Sequence, residues 1–147
     1  MTVAALIQQY NQERPNTVDD SEKILWLKKC EQMLISEVVK SHEYNISDGN
    51  KLELKVSGST LYIQEAGSLE NHISAFNLDT ELIAPSPYDE LYLHFLDKTI
   101  SYNNNDTKRY NAASSMYNNA LLCFKQYFNR TYKPKKTGSS LFSHGCL

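Results

Sequence analysis

Long apolar runs, glycine-rich loops and a strong charge of either sign are all missing from this sequence. No stretch approaches the ~20 apolar residues of a membrane span. The N-terminal "MTVAALIQQYNQER" has no basic leader, and its apolar stretch is too short for a signal peptide, so the chain is expected not to be secreted. Cys30, Cys123 and Cys146 are odd in number and widely spaced, which fits reduced thiols in a cytosol. The Asn-x-Ser/Thr matches at Asn45, Asn105 and Asn129 are then chance matches to a glycosylation signal. There is no glycine-rich phosphate loop, no nucleophile elbow and no dinucleotide fingerprint. A net charge of −2 gives no electrostatic reason to expect a nucleic-acid binder.

Metal and acid–base constellations are equally scarce. His42, His72, His94 and His144 show no ligand spacing with one another, and His144-Gly-Cys146 is too sparse for a closed zinc site. Cys123 lies beside an apolar stripe and is expected in the core. The carboxylate groups Asp19/Asp20/Glu22 and Asp89/Glu90 fall at helix starts, where capping and dipole complementarity account for them. No catalytic, cofactor-binding or metal-ligating residue is assigned, no cofactor is implied, and the chain is read as not an enzyme.

What is present is a globular composition, 41% hydrophobic and 22% charged, over 147 residues, enough for one domain with a real core. Tyrosine is the outlier, with ten copies against one Trp and five Phe. The spacing predicts a short helix over about 2–13, capped by Thr2 and stopped by Pro15. A second helix over about 20–41 starts on a capping-box-like Asp19/Glu22 pair and carries Ile24, Leu27, Cys30/Glu31, Leu34 and Val38 on one side. "KLELKVSGSTLYIQE" then alternates. A Gly58-Ser59 turn would set Val56 against Leu61 and Leu54 against Ile63 in a β-hairpin over about 51–65.

Residues 66–85 show no firm periodicity, apart from a short extended piece in "TELIA". "SPYDE" predicts a third helix with Ser86 as cap and Pro87 at its first position. Tyr88, Leu91, Tyr92, Phe95, Leu96, Thr99 and Tyr102 give that helix its apolar side. A last helix over about 107–131, capped by Asp106, sets Tyr110, Tyr117 and Phe124 seven apart, with Ala113, Ala120 and Tyr127 three further on. Rings alternating with alanines suit a close antiparallel helix pair. Asn111 and Asn118 flank this seam, each at roughly half a kcal/mol of helix propensity, a cost better understood if the flank meets another subunit.

The fold expected is mainly α: a helical bundle of one short and three longer helices over 1–131, with one inserted β-hairpin and an extended C-terminal arm at 132–147. The arm is rich in Lys, Gly and Ser, yet keeps the apolar pair Leu141-Phe142. That combination suits a segment that orders on a partner.

The block "TELIAPSPYDELYLHFLDKTISYNNNDTKRYNAASSMYNNALLCFKQYFNRTYKPK" resembles the C-terminal half of head–tail connector (adaptor, head-completion) proteins of tailed bacteriophages of Gram-positive bacteria. The likeness is carried by Thr80–Ile83, Pro85–Tyr92, Tyr102–Asn103, Arg109–Asn111, Asn118 and Asn129–Lys135. "ERPNTVDDSEKILWLKKCE" resembles the family's opening, so about 20–40 and 80–135 are covered. "SLFSHGCL" matches nothing in the family.

The resemblance implies a non-enzymatic virion protein of the neck, assembled in the bacterial cytoplasm as a homo-oligomeric ring, usually a dodecamer. It implies the portal protein and tail or neck proteins as partners, with DNA passing through the lumen unread and no membrane involved. Residues 132–147 would form the portal-docking arm through Lys133, Lys135, Lys136, Leu141 and Phe142. Asn111, Asn118 and Tyr62 are candidate inter-subunit contacts. The residues leave a second reading open, a small helical nucleic-acid-binding or regulatory module that uses the basic tail.

Overall fold

The computed structural model describes residues 1–39, 55–57, 60–62 and 72–131. Among these the protein is mainly helical. The longer helices are α1 (Val3–Glu13), α2 (Asp20–Glu37), α3 (Glu90–Asn103) and α4 (Thr107–Thr131). None of them is long and apolar enough to cross a membrane.

Helix α1 begins as its sequence dictates. The Thr2 hydroxyl accepts from Ala5 N at 3.2 Å, satisfying one of the free donors of the first turn. Val3, Leu6, Ile7 and Tyr10 form its buried side. Helix α2 starts at Asp20, but Asp19 makes no side-chain cap, so the expected capping box is not formed. Acidic Asp20 and Glu22 in the first turn still complement the helix dipole. The helix ends at Glu37 rather than near 41, with Val38 N closing on Leu34 O.

Helix α3 starts three residues later than its Ser-Pro signal suggests. Tyr88 N donates to Pro85 O at 2.7 Å. The chain therefore turns over 85–88 before the helix begins, and Ser86 is not its cap. Asn104–Asp106 connects α3 to α4, with Asn105 in the left-handed region at φ 57. Asp106 caps α4 as expected, its Oδ1 accepting from Arg109 N at 3.2 Å.

An extended strap lies between the second and third helices. Residues 78–84 run beside the N-terminus, with Val3 N donating to Thr80 O (2.9 Å) and Leu82 N to Met1 O (3.0 Å). Thr2 and Glu81 form an antiparallel bridge, so "TELIA" is indeed extended there. Leu82, Ile83 and Ala84 are fully buried. They join Leu6, Tyr10, Leu27, Leu34, Leu91, Phe95, Leu96, Tyr117, Phe124 and Phe128 in one core cluster.

The inserted hairpin is not supported as a unit of the fold. Its trace is two three-residue strands, β1 (Lys55–Ser57) and β2 (Thr60–Tyr62), paired antiparallel with Val56 opposite Leu61. The Gly58-Ser59 turn, the Leu54/Ile63 pair and the flanks lie outside the described residues. So does the 132–147 arm.

Candidate interaction surface

The surface that this fold presents depends on which polar groups it consumes internally. Two buried carboxylates do most of that work, and neither is at a helix start. Glu31 on α2 is fully buried. Its Oε1 accepts a short hydrogen bond from the Tyr92 hydroxyl of α3. Its Oε2 takes Ile83 N at 3.1 Å and lies 2.7 Å from His72 Nε2. Tyr92 in turn accepts from Ala84 N at 2.9 Å. One carboxylate thus ties α2, α3 and the strap together. Each of its oxygens has a structural partner, as burial of a charge requires.

Asp97 on α3 is the second centre, 4% exposed. Arg109 from α4 donates Nη2 to its Oδ1 at 2.7 Å, with Nε at 3.2 Å from the same oxygen. Arg14, at the end of α1, donates to Oδ2, and the Tyr10 hydroxyl reaches Oδ1 at 3.3 Å. Burial pushes Asp97 up, but the hydrogen bonds and charges of Arg14 and Arg109 outweigh it and hold the carboxyl below its ordinary value. Tyr10 is pushed up to about 12, by burial first and then by the Asp97 charge.

A third tie is cationic. Lys23, 1% exposed, donates from Nζ to Asn11 Oδ1 (2.7 Å) and Val18 O (3.0 Å), with Asp20 at 3.4 Å. It closes the 14–19 connection between α1 and α2.

The seam between α3 and α4 is aromatic. Tyr88 stacks on Tyr127 with centroids 4.6 Å apart, and Arg130 Nη2 lies 3.3 Å from the Tyr88 hydroxyl. Phe95 meets Tyr117 at 5.5 Å, and Lys98 sits over both rings. The heptad-like stripe is buried at Ala113, Tyr117, Phe124 and Phe128 and half-buried at Tyr110, Ala120, Leu121 and Tyr127. Tyr102, expected on the apolar side of α3, is instead 69% exposed, because the helix runs out past the core there.

Cys30 is a free, fully buried thiol, pushed up by burial. Cys123 is half-buried rather than core. It takes part in a disulfide, so the expectation of reduced thiols does not hold at that position.

The opposite face of α4 is open. Asn111, Ala112, Ser115, Met116, Asn118, Asn119 and Leu122 are exposed along it. From Tyr110 to Phe124 the helix carries no charged residue. Met116 is 52% and Leu122 42% exposed, an unusual load of apolar side chain for a solvated helix face. Asn111 and Asn118 thus stand on the outer face, free to meet another molecule. Tyr62, the third candidate, has its side chain outside the described residues, as do Lys133, Lys135, Lys136, Leu141 and Phe142.

Neither buried centre was identified from the sequence as an organising group. The signal was partial: Glu31 falls at an apolar position of its helical pattern, where a carboxylate must find partners or be neutralised. Asp97 directly follows Leu96 inside an apolar stretch. Among the described residues no group of three or more His, Cys, Asp and Glu side chains is arranged to hold a metal ion. Comparison with known proteins adds no relative: no family model matches the chain, and no curated protein or solved structure does either.

Proposed function

We propose that this chain is a subunit of a phage head–tail connector ring, a structural virion protein and not an enzyme. In this reading it docks on the portal, joins the capsid to the tail and extends the channel through which DNA leaves. The observation that carries the reading is the motif block over 80–135, from "TELIAPSPYDELY" to "YNRTYKPK". Members of that block carry the inter-helix contacts: Leu82 and Ile83 fill the core, Tyr92 holds Glu31, and Arg109 holds Asp97. The resemblance therefore falls on residues with physical work to do in a mainly helical fold.

Two surfaces are assigned roles. The uncharged outer face of α4, with Asn111 and Asn118, meets neighbouring copies in the ring, together with Tyr62. The arm, with Lys133, Lys135, Lys136, Leu141 and Phe142, docks on the portal. A ring engages many arms at once, so each contact can be weak and the assembly still hold. The hairpin over 51–65 belongs to this proposal as a further contact with the tail or with a neighbour.

Co-sedimentation with cognate portal particles tests the reading. The full chain associates, and a chain ending at Thr131 does not while remaining folded. Binding by the shortened chain sinks the docking arm. Failure of the full chain to bind sinks the connector assignment itself.

A further inference from the structure

We propose that the cleft beside the α3–α4 turn is a socket for a lysine or arginine side chain of a partner protein segment. The proposal stands on the cleft alone and goes beyond the connector assignment. The cleft holds about 330 Å³ and is lined by Ser101, Tyr102, Asn105, Asp106, Thr107, Tyr110 and Asn111. That is at the lower end of ligand-site volumes, suited to one side chain rather than a cofactor. Tyr102 and Tyr110 bound it with ring centroids 5.6 Å apart and tilted by 56°. Tyr102 is 69% exposed, so its ring remains open to an incoming group.

The polar lining is complementary to a cation. Asp106 spends Oδ1 on the Arg109 amide, which leaves its second oxygen for a ligand. The Ser101 hydroxyl is buried and has no hydrogen-bond partner. Thr107, Asn105 and Asn111 add further oxygen acceptors. None of the lining residues is cationic. Arg109, close in sequence, is committed to Asp97. An anion such as a nucleic-acid phosphate would instead meet the Asp106 carboxylate with no lining cation to offset it. The same fold already places ammonium groups over tyrosine rings, Lys98 at 4.5 Å from the Tyr117 centroid and Lys23 at 6.0 Å from that of Tyr10.

The test is an NMR titration of the intact chain with two end-blocked tripeptides, Gly-Arg-Gly and Gly-citrulline-Gly, which differ in charge and hardly in shape. The arginine peptide shifts the amides of residues 101–111 with saturation, and the citrulline peptide binds about tenfold more weakly. Tyr102→Ala combined with Asp106→Asn weakens the arginine peptide by about tenfold. That variant stays folded, since Tyr102 is exposed and Asn keeps an oxygen for the Arg109 amide. Equal responses to the two peptides overturn the proposal, as does no response at 101–111. The peptide comparison on the unchanged chain decides the matter even if the variant misfolds.

Discussion

The Tyr92 hydroxyl of α3 donates to the Glu31 carboxylate of α2, a buried bond between residues 61 positions apart in the chain. The same tyrosine accepts from Ala84 N, and the same glutamate accepts from Ile83 N. The strap is therefore held by the pair that joins the two helices, and its three apolar residues are seated in the core by that geometry.

Removing the glutamate leaves the Tyr92 hydroxyl and the Ile83 amide buried without acceptors. Glu31→Ala should cost about 3–5 kcal/mol, measured by urea or thermal unfolding. Tyr92→Phe should cost less, about 1–2 kcal/mol, because Glu31 keeps two partners while Ala84 N loses its acceptor. A loss for Glu31→Ala below about 1 kcal/mol would mean that the strap is not anchored there.

The Asp97 centre predicts an acid limb. Its carboxyl is held below the ordinary value in the folded state, so it contributes stability above the unfolded-state value of about 4. That contribution is lost as pH falls through the lower folded-state value. Asp89 works with the opposite sign, since burial raises it. The difference between the stability–pH curves of the original chain and Asp97→Asn therefore isolates Asp97. It should be flat near pH 7 and shrink below about pH 4.

The Tyr88–Tyr127 stack joins the turn before α3 to the last turns of α4. A double-mutant cycle with Leu at both positions should give a coupling of about 0.5–1.5 kcal/mol beyond the area lost. A coupling indistinguishable from zero would reduce the stack to incidental packing.

The outer face of α4 separates assembly from folding. Asn118 is exposed, so Asn118→Leu should change unfolding stability by no more than about 0.5 kcal/mol. In the connector reading it nonetheless disrupts the ring, observed by light scattering after size exclusion. An intact ring with unchanged stability would leave Asn118 without a role in assembly.

Much of the helical framework was legible because periodic burial follows from helix geometry. The 107–131 helix, its Asp106 cap and the Thr2 cap are local signals, decided by residues three or four apart. The start of α3 was misread because Ser86-Pro87 matches a helix-start pattern that the 85–88 turn overrides. Leu82–Ala84 gave no period because a short buried strap has none. Glu31 and Asp97 were the least legible. Arg14 lies 83 residues from Asp97 and Tyr92 lies 61 from Glu31, and a pattern along the chain cannot pair residues at such distances. The outer α4 face was half visible: Asn111 and Asn118 could be placed beside the seam, while the exposure of Met116 and Leu122 is set by how α4 packs on α3.

Electron microscopy of the chain mixed with its cognate portal tests the central claim most directly. The connector assignment predicts particles in which a second ring sits co-axially on the portal, with each arm reaching a portal subunit. Portal particles left bare, beside a chain that stays monomeric at the same concentration, would contradict it.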